Sequence, residues 1–173
     1  MEIPVYRTEM VITDEIRVGD KINVMLGAPF DRAVKATAQL VDGQEVTFLF
    51  DEILAMMPWY DIGKWFIDVL QPAMMPGLPM LSGLSIPTVG QLFGKSDEWA
   101  NGVFELDDKP QFELMKNDFS RVAEYQGKID WYWMKNKRKA SAPNFAYIYF
   151  GGSANGSHAS NAVGVRPVFT LTL

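Results

Sequence analysis

Apolar and polar residues alternate over the first fifty residues. Ile16, Val18, Ile22 and Val24 share one parity, and Gly19-Asp20 between them suits a turn. Asp42-Gly43 separates Ala38-Gln39-Leu40-Val41 from Val46-Thr47-Phe48-Leu49-Phe50. Asp-Gly supplies the positive φ angles of a tight turn, so a hairpin is predicted there. From residue 51 the period lengthens. Ile53, Leu54 and Met57, then Trp65, Phe66, Val69 and Leu70, recur at helical spacing, predicting two short helices divided by Pro58. The stretch QPAMMPGLPMLSGLSIP that follows is too apolar for a linker and reads as an irregular segment lying on the core.

A helix start is written at 88–94. Thr88 can cap, Gln91 three residues later can close a capping box, and Gly94 can end the helix. Residues 97–129 are mixed, with 110–125 partly helical. After Trp131 the pattern returns to strands, at 145–150 and over 163–173. Pro167 removes a ladder donor, so this last strand is expected at an edge or bulged. With no internal repeat, the sequence reads as an α+β mixture with strands at both ends.

At 173 residues the chain reads as one domain, 1–173, with residues 1–14 as an optional N-terminal extension. Hydrophobic content of 48% against 21% charged leaves enough apolar surface for a core and excludes wholesale disorder. A net charge of −5 argues against non-specific nucleic-acid binding, which relies on excess Lys and Arg. Zero cysteines exclude disulfides and thiolate metal sites. The N-terminus shows no signal-peptide pattern. The most apolar region, 65–87, is interrupted by Asp68 and by prolines at 72, 76, 79 and 87, so membrane insertion is not expected. These features fit a soluble protein, cytoplasmic until assembled into a virion, or a virion component.

Candidate chemistry is sparse. His158 is the one histidine, too few for the usual metal site, and no G-x-S-x-G elbow accompanies it. The acidic pairs Asp51-Glu52, Asp97-Glu98 and Asp107-Asp108 read as solvated faces, since no calcium-loop pattern frames them. No phosphate-binding loop is present, so neither metal nor cofactor is implied. Lys135, Lys137, Arg138 and Lys139 make a local positive patch beside Trp131, Tyr132 and Trp133. The acidic total turns the reading away from nucleic acid; a solvated loop comes first and a contact with an acidic ligand next.

Three pieces of sequence resemble one family. YWMKNK at 132–137 is similar to a Tyr-Trp-Leu-Arg-Ser-Pro signature, and NFAYIYFGGSANGSHASNAVGVRPVF at 144–169 resembles an aromatic strand, a Gly-Ser-Asn tip and a Gly-Val-Arg-Pro return. IRVGDKINV and IGKWFIDVL sit where the same family places its opening strand and a helix. The family is an uncharacterised bacterial and phage domain related to the C-type-lectin-like fold. SIPTVGQLF also resembles a helix start of formylglycine-generating-enzyme-like members of that fold. Met134, Lys135, Asn136 and Lys137 replace the signature's Leu, Arg, Ser and Pro, and Gln91 replaces a Glu.

The resemblance implies a C-type-lectin-like α+β domain with N- and C-terminal strands in a mixed or antiparallel sheet and two or more short helices. It implies a non-enzymatic recognition scaffold of the kind found in phage receptor-binding and bacterial display proteins, some diversified by retroelements. Its partner would be a protein or glycan on a cell surface. The alternatives are a structural virion or assembly protein that forms homo-oligomers, or an enzyme on the formylglycine-generating-type fold, whose cysteine chemistry this chain lacks. The expected ligand contacts are Tyr132, Lys135, Asn136, Lys137, Asn144, Tyr147, Tyr149, Ser153, Asn155, Ser157, His158 and Asn161. Trp131, Trp133, Thr88, Gly164 and Arg166 are expected to be structural. Strand alternation puts Phe145, Tyr147 and Tyr149 on one face and Ala146, Ile148 and Phe150 on the other. The first is expected to face outward beside a Ser/Asn/Gly loop, a paratope-like composition. Tyr147 and Tyr149 also fit as ordinary half-buried sheet aromatics.

Overall fold

The computed structural model describes residues 5–7, 10–12, 15–94, 102–140 and 143–173, and strands dominate them. The chain divides into two compact units. One comprises residues up to Glu52 with Gly63–Ser85 and Val168–Leu173, and the other Ile53–Ile62 with Ile86–Pro167.

The first unit is a seven-stranded antiparallel sheet. Its order is Met10–Ile12, Val5–Arg7, Lys21–Leu26, Arg32–Asp42, Glu45–Phe50, Val168–Thr172 and Leu81–Ser85. Residues 5–7 and 10–12, expected within an extension, add two strands to its edge. The alternation read from the sequence is the burial pattern here: Ile22, Val24 and Leu26 are buried while Lys21, Asn23 and Met25 are exposed. The Asp42-Gly43 hairpin forms as expected, with Gly43 at φ 60°. Phe48 stacks on its cross-strand partner Phe169 at 5.2 Å between ring centres.

The helical pattern expected at 65–70 also forms, within Ile62–Trp65, a π-helical turn Phe66–Leu70 and Gln71–Met74; the segment 71–87, expected to be irregular, instead contributes that last helical turn and the Leu81–Ser85 strand. In the π-helical turn Gln71 N–H donates to the Phe66 carbonyl, five residues back. Pro72 explains the widening, because a proline ring clashes with the carbonyl four residues behind it and supplies no N–H.

Residues 53–57 are a correction. No helix forms there. Ala55–Met57 is a strand paired with Val163–Val165, and Leu54 N–H donates to the Val165 carbonyl. Met57 precedes Pro58, and the proline ring disfavours helical backbone in the residue before it.

In the second unit the sheet has five strands, ordered Ala154–His158, Asn144–Ile148, Tyr132–Lys137, Val163–Val165 and Ala55–Met57. Tyr132–Lys137 runs parallel to Val163–Val165, and the other pairs are antiparallel, so the sheet is mixed. Tyr132, Met134, Ala146 and Ile148 are fully buried in its core. The expected helix stands at Val89–Phe93, with the Thr88–Gln91 capping box formed and Gly94 ending it at φ 80°. Residues 110–125 give two short 3-10 turns, Glu113–Met115 and Asp118–Arg121, before the Ala123–Tyr125 strand.

The C-terminal hairpin differs from expectation. Only the front of the Gly/Ser/Asn tract, residues 151–153, lies in its tip. Residues 149–153 make the turn, and Ala154–His158 is an edge strand paired residue for residue with Asn144–Ile148. The strand expected over 163–173 is two strands in different sheets, separated by Arg166-Pro167. Pro167 falls in that break and costs neither ladder a donor, and Val168–Thr172 is an interior strand instead of an edge.

Candidate functional site

Two features of the second unit gather the chemically expressive side chains. Both grow from the Tyr132–Lys137 and Asn144–Ile148 strands. Cross-strand partners share a sheet face, so two rows can be read from the register. Trp133, Tyr147 and Asn155 form one, and Lys137, Phe145 and Ser157 form the other.

The expected outward face of Phe145 and Tyr147 is covered. Trp59 stacks on Phe145 at 3.7 Å between ring centres, with Tyr60 edge-on to both. Two indole N–H groups fasten this cover. Trp59 donates to the Met134 carbonyl at 3.1 Å, and Trp133 to the Met57 carbonyl at 2.9 Å. Trp131 stacks on Tyr147 at 4.8 Å and also meets Tyr149 and Phe150. Tyr147 is left 5% exposed. Burial, with a smaller contribution from Tyr149, pushes its phenol above the usual value, so it stays protonated at neutral pH.

What remains in solvent is the turn. Tyr149 is 42% and Phe150 46% exposed, beside the half-buried Trp131. The turn is anchored by Arg121, whose Nη1 donates to the Gly152 carbonyl at 3.3 Å. Arg121 is buried. Its Nε donates to the carbonyls of Leu92 and Met115, its guanidinium lies 4.0 Å from the centre of the Phe93 ring, and Asp118 pairs with it at 2.8 Å. The same 3-10 turn presents Phe119, which is 87% exposed.

The second feature is a cleft of about 300 Å³. Asp107, Thr88 and Asn136 form its floor. One Asp107 carboxylate oxygen accepts from the Thr88 hydroxyl (2.8 Å) and Lys109 N–H (3.1 Å), and the other from Gly90 N–H (2.9 Å) and the Asn136 amide (2.8 Å). Burial works to raise this carboxyl's pKa, but the four donors, Asn136 foremost, outweigh it and hold the group below its ordinary value. A carboxylate so committed is a structural anion, not a proton-transfer group. Gly90 is required here, because a Cβ at that position would collide with the Asp107 carboxylate.

Asn136 is equally committed. Its amide nitrogen donates to Asp107 and to the Glu105 carbonyl, and its oxygen accepts from Val89 N–H. Around this floor stand Glu105, Leu106, Lys135, Lys137 and Phe145.

Several expected ligand contacts are therefore elsewhere. Tyr132 is a correction: it is fully buried, its hydroxyl donating to the Arg121 carbonyl at 2.5 Å and accepting from Arg166 Nη1 at 3.1 Å. Asn136 is a second correction, buried in the cleft floor by a hydrogen-bond set that its polarity did not reveal. Lys135, Tyr149, Ser153, Asn155, His158 and Asn161 are exposed, and Lys137, Asn144 and Ser157 are half-buried. His158 Nδ1 lies 2.7 Å from the Ser160 hydroxyl.

Among the residues expected to be structural, Thr88 caps its helix, Arg166 is buried against Tyr132, and Trp131 and Trp133 make the contacts above. Gly164 is where Val163–Val165 crosses Trp131. A Cβ there would overlap the Trp131 carbonyl, to which Gly164 N–H donates at 3.0 Å. Asp51 and Glu52, expected as a solvated pair, hold Lys21 and Arg32 in the first unit. Asp97-Glu98 lies outside the described residues.

Sequence reasoning missed Asp107, Arg121, Trp59, Tyr60, Phe119 and Phe150. Only Trp59-Tyr60 carried a usable signal, an aromatic pair directly after a proline. No helix among the described residues is long and apolar enough to cross a membrane. Comparison with protein-family models, with curated proteins and with solved structures finds no match.

Proposed function

We propose that this chain is a non-enzymatic binding module of the phage or bacterial receptor-binding type, on a C-type-lectin-like α+β scaffold. It engages a cell-surface glycan or protein through Trp131, Tyr149 and Phe150 and the polar edge strand beside them. The observation that carries this reading is the pair of exposed rings at 149–150, backed by the Trp131–Tyr147 stack. Exposed aromatics held in place by neighbours offer contact area at low entropic cost. Exposed Ser153, Asn155, His158 and Asn161 supply adaptable hydrogen bonding next to them. The signature resemblance at 132–137 and 144–169 supports the scaffold and the recognition role.

A glycan and cell-surface protein array tests it. Hits are expected for the unaltered chain and are expected to vanish in a folded Tyr149→Ala/Phe150→Ala variant. Unchanged hits in that variant would remove the turn from the binding surface. A second reading, self-association, is favoured by the same exposed rings together with Phe119 and Tyr60, the latter 61% exposed. Light scattering separates the two, because assembly requires an oligomer that the double variant dissolves.

A further inference from the structure

Resting on that binding reading, we propose that the cleft above Asp107 is a subsite for one acidic sugar residue. Its carboxylate would meet Lys135 and Lys137, its hydroxyls Glu105, and its C–H face Leu106 and the edge of Phe145. Size comes first. A volume of about 300 Å³ sits at the lower bound of small-molecule sites and suits a single ring.

The floor then narrows the chemistry by what it cannot do. Both amide hydrogens of Asn136, the Thr88 hydroxyl proton and both Asp107 oxygens are engaged within the protein. A ligand is therefore selected by the rim. There, neither the Lys135 nor the Lys137 ammonium is ion-paired or hydrogen-bonded among the described residues.

The pairing of two cations with two carboxylates narrows the ligand further. Lys135 and Lys137 set against Glu105 and Asp107 give the lining no net formal charge. A polyanion would be repelled by the two carboxylates, and a neutral sugar would make no use of the two ammonium groups. A ring with one carboxylate and several hydroxyls satisfies both signs. The apolar rim, with Leu106 60% exposed, gives the ring's C–H face a surface that a bare anion would not use.

The test is an amide-resolved NMR titration of the full chain with methyl glucuronide, its neutral counterpart methyl glucoside, acetate and a short Asp-containing peptide. Glucuronide is expected to shift residues 105–107 and 135–137 and to bind about tenfold more tightly than glucoside, the scale of one charge-assisted contact. Lys135→Gln/Lys137→Gln is expected to bring glucuronide down to the glucoside level. Equal affinity for the two sugars, or acetate or the peptide matching glucuronide, overturns the proposal. Should the double variant lose its fold, the glucuronide preference of the unaltered chain decides alone. The two readings fail differently. Array hits lost in Tyr149→Ala/Phe150→Ala, without any glucuronide preference, refute the subsite and leave the binding module standing. Silence in both experiments refutes both.

Discussion

Asn136 and Tyr149 lie at opposite ends of one local argument. Both belong to a region whose polar and aromatic composition looks made for contact. Yet Asn136 has turned all its hydrogen-bonding capacity inward, to Asp107, Glu105 and Val89, while Tyr149 keeps much of its ring in solvent and is held by other rings. The comparison teaches that composition marks a region dense in polar and aromatic side chains but does not say which of them face solvent. A polar residue beside a helix N-terminus is readily absorbed by the four N–H groups that lack intrahelical partners. A ring on a tight turn has nowhere to bury itself.

The contrast predicts that the inward groups govern stability and the turn governs binding. Asp107→Ala is the heaviest test. It strips four donors of their acceptor and is expected to cost about 3–5 kcal/mol in chemical denaturation, at about 1–3 kcal/mol for each buried donor with discounts for those that reach water. A loss below about 1 kcal/mol would mean that solvent replaces the carboxylate and the floor is not rigid. Next comes Arg121→Met, which leaves the Leu92, Met115 and Gly152 carbonyls without that donor. It is expected to cost about 2–4 kcal/mol and to loosen the 149–153 turn, seen as faster amide exchange there.

Tyr132→Phe removes only the hydroxyl between Arg121 and Arg166. Its expected cost is about 1–3 kcal/mol, read in the same denaturation series. A neutral outcome would mean that the hydroxyl does not tie the Arg121 carbonyl to Arg166.

Acid titration gives a gentler probe. Asp107 is held below its ordinary value of 3.8, so its contribution is complete above that pH and is lost as pH falls through the lower folded value. Stability should decline in that window, and Asp107→Asn should flatten the decline. Last, Tyr149→Ala/Phe150→Ala is expected to lower stability by about 1–2 kcal/mol, the ring contacts with Trp131 being lost, while abolishing array binding. A large loss of stability would make the turn part of the core and erase the comparison.

How much of this was legible depended on where each segment's partners lay. Ile22 and Val24 could be placed because one face of a regular antiparallel strand is buried, and alternation reports that directly. The Thr88–Gln91 box and the Asp42-Gly43 turn were legible because their chemistry is local. Residues 53–57 were not. Their structure is set by pairing with Val163–Val165 and by Pro58, and three apolar positions cannot distinguish a short strand from a helix. For the candidate site, composition points to 132–161 but does not separate its buried members from its exposed ones. Tyr132 reads as a contact in the sequence because nothing near it announces Arg166 or the Arg121 carbonyl. Asp107 is not legible because an Asp-Asp pair on a loop is commonly solvated, and its four donors come from four separate positions.

The place of Val168–Thr172 has a consequence for how the chain can be made. That strand lies between Glu45–Phe50 and Leu81–Ser85, with Phe169 opposite Phe48. During synthesis both neighbours emerge long before it and cannot pair with each other across its place in the sheet. Until the intervening sequence of the second unit has been translated, two strand edges and the Phe48 and Phe50 rings wait without their partner. Such edges invite pairing with other chains. Closure over so long a sequence separation is also slow. A nascent chain arrested before residue 168 should therefore be the most aggregation-prone and chaperone-dependent form of this protein, however stable the finished sheet.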